Sequence, residues 1–303
     1  MRLKNIGLFI FFSFFLLFYP GNSYYFHIFA YQRPLFQKQE KKVVLNIKPF
    51  PYLLNKYSLP EITAEGALII DLQSFSPIYE KNSDKKFLPA SLTKIITALV
   101  AYSVYQPNQI ITVKKTIPDG RVMNLVIGEK ITVENLLYGI LIHSANDAAF
   151  VLADNFGYQN FIELMNKKAR EIGMRNSYFT NPTGLEDSNN YSTPFDLALV
   201  SKKLLSNPYL SKIVATKEIV VSDIDYQYFH QLINVNKLLG EIPGIGGLKT
   251  GYTENAGENL ITFYKKNSHQ ILIIILKSLD RFEDTKNIIS WLNNNLVYLT
   301  LNI

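Results

Sequence analysis

Cysteine is absent from the 303-residue chain, which excludes disulfides, thiolate catalysis and zinc sites built on Cys ligands. That absence fits an exported protein that does not rely on disulfides. A basic surplus is also missing from the body of the chain. The net charge is +6, yet the first 60 residues alone hold eight Lys/Arg against one acid, Glu40. The remainder is therefore close to neutral and slightly acidic, so no nucleic-acid partner is expected: its basic footprint would have to lie on the folded part. There is no internal repeat and no low-complexity block, and neither a metal nor a cofactor is expected. What is present is the composition of a globular protein, 48% apolar and 18% charged, long enough to bury a substantial core.

The one long hydrophobic run stands at the start. Arg2 and Lys4 precede an apolar stretch from Ile6 to Tyr19, interrupted by Ser13 and ended by Pro20-Gly21-Asn22-Ser23. A charged lead, an apolar run of signal length and a cut after Ser23 make residues 1–23 a signal peptide. The run is shorter than the about 20 apolar residues of a spanning helix. Tyr24, Tyr25, Phe26, Ile28, Phe29 and Ala30 could lengthen it, so a retained membrane anchor stays open. With no Cys following, lipoprotein processing is excluded. Residues 24–60, with Pro34, Pro49, Pro51 and Pro60 and a basic surplus, read as a stem, either solvated or drawn to anionic lipid or wall polymer. The expected location is the cell envelope: the outer face of the cytoplasmic membrane, the periplasm or the exterior.

The folded part is expected from Glu61 to about residue 300. Ala67–Leu72 reads as a buried strand with Pro77–Glu80 as its hairpin partner. Apolar residues at helical spacing predict helices over Ser91–Tyr102, Val133–Ile142 (capped by Thr132), 146–155, 159–172, 193–205 and 281–296. Asn259–Tyr264 and Gln270–Leu276 are β-rich runs joined by Lys265-Lys-Asn-Ser268, a hairpin turn. Strands at both ends around a helical middle predict an α+β unit: an antiparallel sheet made by the N- and C-terminal parts, flanked by helices, with the active site between sheet and helical subdomain.

Three short motifs carry candidate chemistry. Ser91-Leu-Thr-Lys94 places a hydroxyl and an amine on one helix face. Serine is a weak nucleophile until a base takes its proton, and a lysine serves only when burial or a nearby cation lowers its pKa. Taken alone, S-x-x-K is more often an ordinary capping serine, and Ser83-Asp-Lys-Lys86 also fits; that one lies in a polar turn, whereas Ser91 opens an apolar helix. Ser144-Ala-Asn146 sits between two predicted helices and can point two polar side chains into one cleft, although Ser188-Asn-Asn190 fits as well. Lys249-Thr-Gly251 follows the glycine-rich turn Pro243–Gly247 into an edge strand. It suits a peptide lying along that edge and ending in a carboxylate, its commoner reading being a turn lysine.

Together, S-x-x-K, then S-x-N 53 residues later and K-T-G 105 further on, are the motif set of penicillin-binding proteins and class A β-lactamases. The chain resembles the low-molecular-weight penicillin-binding D-alanyl-D-alanine carboxypeptidases of the serine peptidase S11 type, with the serine β-lactamase/DD-peptidase fold. The likeness extends to Pro89–Ala98, Gly128–Gly139, Ser144–Ala149, Phe161–Asn166, Asn181-Pro-Thr-Gly-Leu185 and Gly247–Thr253. The resemblance implies that Ser91 is acylated by the penultimate D-alanine of a peptidoglycan stem peptide while the terminal D-alanine leaves. It implies Lys94 as base, Ser144 as proton relay, Asn146 as holder of the substrate amide, and Lys249 and Thr250 at the terminal carboxylate. Gly251 continues that strand, the amides of Ser91 and Tyr252 form the oxyanion hole, and Arg281 assists with the carboxylate or simply begins the last helix. β-Lactams would be covalent inhibitors. Ala145 and Tyr252 depart from the usual glycine and histidine, which bears on substrate preference. The family's larger members add a C-terminal β-domain and an amphipathic membrane helix; neither is expected here, so membrane contact would come through the N-terminal segment.

Three other readings compete: a D,D-endopeptidase with the same catalytic set, a β-lactamase, and a non-catalytic wall-binding protein. A β-lactamase needs a carboxylate to activate water, for which Glu163 is the mid-chain candidate. A non-catalytic relative should have lost Ser91, Lys94 or Lys249, and all three are present.

Overall fold

The structure, a computed structural model, describes residues 2–18 and 49–299. The proposed cut after Ser23 and most of the stem lie outside the described residues. Two units form. The first holds the helix α1 (Arg2–Phe18), built from the Phe-rich run. Among the described residues, no helix is long and apolar enough to cross a membrane.

The second unit is organised by a five-stranded antiparallel sheet in the order β3-β2-β10-β9-β8. These strands are β2 (Gly66–Asp71), β3 (Pro77–Lys81), β8 (Ile245–Thr253), β9 (Gly257–Lys266) and β10 (His269–Ser278). The first hairpin is thus inserted beside the last one, as strands at both ends predicted. β2 and β10 are continuous apolar runs because both faces of the sheet are covered. Side chains alternate across a strand. Leu68, Ile70, Leu272 and Ile274 accordingly enter one cluster, with the helical middle, while Ile69, Ile271, Ile273 and Ile275 enter the other, with α8 (Arg281–Asn295). Fully burying one such side chain contributes roughly 1.5–3 kcal/mol.

The helical middle comprises α2 (Lys94–Val104), α3 (Val133–Tyr138), α4 (Asn146–Phe156), α5 (Tyr158–Ile172), α6 (Pro194–Leu205) and α7 (Pro208–Val214). α2 is buried on every side from Lys94 to Ala101, and its apolar residues lie in the larger cluster. Thr132 and Thr193 cap α3 and α6 as expected of threonine at a helix start.

Four differences from the sequence expectations have physical causes. Residues 50–53, expected in the stem, form β1 (Phe50–Leu53) against β11 (Leu296–Leu299). The indole of Trp291 also donates to the Ser58 carbonyl at 2.9 Å, so these residues join the folded unit. Ser91 does not open an α-helix: Ala90–Thr93 is a 3₁₀ turn and α2 begins at Lys94. The expected helix over 133–142 ends at Tyr138 and continues as a wide π turn, Gly139–His143, that sets up Ser144. Two small strand pairs were not anticipated, β4 (Ile110–Thr112) with β5 (Lys130–Thr132), and β6 (Glu218–Ser222) with β7 (Phe229–Ile233).

Candidate active site

Ser91 is held by a turn that few sequences would tolerate. Ala90 has a left-handed backbone, φ 48°, a conformation that an L residue keeps only when its surroundings enforce it. Two features enforce it. Gly184, at φ +81°, lies so close that a Cβ on it would stand 1.9 Å from the Ala90 carbonyl oxygen. From the sheet side, the buried Asn259 on β9 donates from Nδ2 to the carbonyls of Leu88 (3.0 Å) and Pro89 (3.3 Å) and accepts the Lys277 amide at 2.8 Å.

The 3₁₀ turn explains the Ser91–Lys94 contact better than an α-helix does. With three residues per turn, positions i and i+3 are eclipsed. Lys94 Nζ stands 2.9 Å from Ser91 Oγ, 2.6 Å from Asn146 Oδ1 and 2.6 Å from the Thr183 carbonyl. The latter two can only accept. They therefore occupy both N–H groups of a neutral amine, leaving its lone pair for the serine proton. Lys94 is completely buried, and that desolvation brings its pKa down to about 7 against the opposing pull of the Asp147 carboxylate. Asp147, also buried, accepts from the amides of Met123, Leu125 and Ala148.

Asn146 begins α4. Its Nδ2 donates to the Asp119 carbonyl (2.7 Å) and its amide to the Arg121 carbonyl (2.7 Å), which binds the loop before β5 to the site. Ser144 follows the π turn in a left-handed conformation and lines the same cleft, but it is not among the partners of Lys94. The opposite wall is the free edge of β8. Lys249 is buried there behind a bulge in the β8–β9 ladder, a device that re-aims a side chain. Its Nζ donates to the Thr250 carbonyl at 2.9 Å. Burial, then the charges of Lys94, Arg281 and Arg121, push its pKa well below the usual lysine range.

Thr250 is buried at the cleft wall. Gly251 packs on the turn of Ser91, where a Cβ would come 2.9 Å from the Pro89 carbonyl. The side chain of Tyr252 is 62% exposed at the rim. Arg281 begins the last helix, as one of its two sequence readings has it, and its side chain reaches the cleft. It is the first residue of α8, capped by Asp280, and its Nη1 donates to the Gly251 carbonyl at 2.9 Å. The cleft so bounded has a volume of about 470 Å³.

All nine residues singled out in the sequence thus fall on one cleft or directly behind it. The rivals do not. Ser83 donates to Glu80 and Lys86 lies over the Tyr191 ring, Ser188 is exposed, and Glu163 is exposed beside a separate hollow on α5. Sequence reasoning missed the supporting roles of Asp147, Thr183 and Asn259. A polar Asn in the otherwise apolar run Asn259–Tyr264 was the one available signal for the last.

The fold and the Ser91–Lys94 pair define a serine acyl-transfer scaffold. The family profile described as D-alanyl-D-alanine carboxypeptidase matches residues 54–279, and the chain belongs to that peptidase S11 family. It is similar to the D-alanyl-D-alanine carboxypeptidase DacF of Bacillus subtilis, 34% identical over 221 residues, covering 70% of this chain and 57% of that protein. Among solved structures, the Streptomyces K15 DD-transpeptidase superposes with a TM-score of 0.73 at 28% identity, over 77% of this chain and 98% of its own. Penicillin-binding protein D2 of Listeria monocytogenes, in its cefotaxime-bound form, gives 0.69 at 27% identity, with the same coverages. The chain spans less than two thirds of the Bacillus relative's length.

Proposed function

We propose that this protein is a serine-type D-Ala-D-Ala carboxypeptidase that trims the terminal D-alanine from peptidoglycan stem pentapeptides through an ester on Ser91. The observation that carries this reading is the environment of Lys94: a buried amine with two obligate acceptors and its remaining contact at the Ser91 hydroxyl. Lys94 takes the proton as Ser91 Oγ attacks the penultimate carbonyl. The C–N bond breaks, and the proton reaches the leaving amine through Ser144. Because Ser144 is not yet bonded to Lys94, that link closes with substrate or water, as catalytic contacts in ligand-free sites often do. Water then cleaves the ester. The amides of Ser91 and Tyr252 stabilise the oxyanion. Asn146 holds the substrate amide, and Lys249 and Thr250 hold the terminal carboxylate beside Gly251 and Arg281.

The names of the relatives support hydrolysis of a terminal D-alanine over the cutting of cross-links. The cefotaxime complex of the Listeria protein supports covalent inhibition by β-lactams. Export to the envelope, with the N-terminal segment as signal or anchor, a basic stem, and a catalytic domain from about residue 61 to 300, completes the reading; the β1–β11 pair extends its folded part to the last residues of the stem. It rests on Arg2, Lys4 and the apolar helix α1.

The test combines two measurements. A labelled penicillin is expected to form a covalent adduct on Ser91 that Ser91→Ala abolishes, and pentapeptide is expected to release free D-alanine. An adduct elsewhere, or none on folded protein, overturns the acyl-enzyme assignment; cleavage of cross-linked dimer with no release from pentapeptide overturns the carboxypeptidase assignment.

A further inference from the structure

Arg121 is a cation in the cleft that the proposed chemistry does not use. It lies on the wall opposite β8, in the loop that also contributes Gly120 to the cleft lining. Its backbone is fixed, because its carbonyl accepts the Asn146 amide at 2.7 Å, two residues from the Asp119 carbonyl that holds the Asn146 side chain. Its guanidinium, by contrast, is exposed and forms no ion pair or side-chain hydrogen bond with any described residue. Neither Asp119, two residues before it, nor Glu258 across the cleft comes within ion-pair distance.

The charge balance of the cleft points the same way. Glu258 is the one carboxylate among the lining residues, and one of its oxygens accepts the Arg281 amide at 3.0 Å. A single terminal carboxylate at Lys249 and Thr250 leaves the cleft with cationic charge to spare. Arg121 is close enough that its charge acts on both Lys249 and Arg281. A peptide whose carbonyl reaches Ser91 must run between β8 and the Asn146 wall, so a cation on that wall faces the body of the chain.

We propose that Arg121 forms a second anion subsite that binds a carboxylate on the acyl-donor part of the substrate, upstream of the scissile bond, and so selects acidic stem peptides over amidated ones. A guanidinium suits this, since its planar fork pairs a carboxylate bidentately. The inference rests on the peptidase reading, and its test separates the two. Two pentapeptides ending in D-Ala-D-Ala are compared, one with free upstream carboxylates and one with those carboxylates amidated. In parallel, Ser91 acylation is followed with a penicillin bearing a side-chain carboxylate and with its parent, whose side chain is uncharged.

The wild-type protein is expected to favour the acidic member of each pair about tenfold in kcat/KM or acylation rate, a ratio that one charge-assisted contact sustains. Arg121→Gln removes the preference and Arg121→Lys restores part of it. The wild-type preference also shrinks as salt is raised, because the pair is exposed. No wild-type preference, or an equal loss on both members in Arg121→Gln, overturns the subsite. Release of D-alanine from neither peptide by the wild-type protein overturns the carboxypeptidase reading instead, and the penicillin pair still decides Arg121.

Discussion

Lys94 must be neutral when Ser91 attacks, and every group around it bears on that requirement. Burial lowers its pKa to about 7, and only Asp147 works in the other direction. The neutral fraction grows as pH rises through that value. The rate of Ser91 acylation by a penicillin with an uncharged side chain should therefore climb through about 7; a flat profile from acid to neutral pH would rule out Lys94 as the base. Lys94→Arg should lose roughly 10²–10⁴ in acylation rate, because a guanidinium stays charged and cannot accept the proton. Gly184 is the second residue with a sharp expectation. In Gly184→Ala the new methyl meets the carbonyl of Ala90 in a backbone conformation that already disfavours a side chain. The turn carrying Ser91 must shift, so penicillin labelling should fall by about 10² or more, the scale of loss that misplacing a reacting group by about 1 Å produces.

At the scale of elements, the segment between β4 and β5 has almost no regular structure and yet carries Asp119, Gly120 and Arg121 to the site. Side chains from α4 and β7, and its own Glu129, hold it. Asp147 takes the amides of Met123 and Leu125, and Glu129 takes that of Val126. His230 on β7 bridges Glu129 Oε1 (2.8 Å) and the Met123 carbonyl (2.7 Å). Both partners accept, so the geometry favours the doubly protonated ring. Burial pulls the His230 pKa down, but the hydrogen bond and charge of Glu129 outweigh it and the net shift is upward from 6.5. A raised pKa stabilises the fold in full below the unfolded value, and that contribution is lost as pH rises through the folded one. His230→Ala, which leaves Glu129 buried and unpaired, should cost about 3–5 kcal/mol at acid pH. The gap to wild type should narrow as pH rises above the ordinary histidine value of 6.5 in urea melts. A gap that does not change with pH would mean that His230 is neutral throughout. This hairpin was not legible in the sequence: β6 and β7 are short, and their outer positions carry Val220, Phe229 and Ile233, which blurs the alternation that marks a half-buried strand. The long runs of β2 and β10 and the periodic helices α5 and α6 were legible, because their patterns are strong and local.

Across the whole molecule, the same separation holds between what neighbours in sequence reveal and what only distant partners supply. The three motifs were readable because each is contiguous. The Asn259 brace, the Thr183 acceptor and the β1–β11 pair join positions 89 to 249 residues apart. The larger consequence of that wiring concerns cooperativity. Every inner strand of the sheet sends alternate side chains into both hydrophobic clusters, so neither cluster can open without stripping the strands that serve the other. Trp291, the single tryptophan of the chain, reports on the α8 side: it is buried, edge-on to Tyr79 at 6.1 Å, and bonded to the Ser58 carbonyl. Penicillin labelling of Ser91 reports on the other side. Chains of this size often unfold through intermediates. Here the shared sheet predicts that the Trp291 emission shift and the loss of labelling follow one curve in denaturant, as a two-state unit requires. Labelling that fails at lower denaturant than the emission shift would show that the helical half, with the Asn146 wall, opens on its own while α8 still covers the sheet.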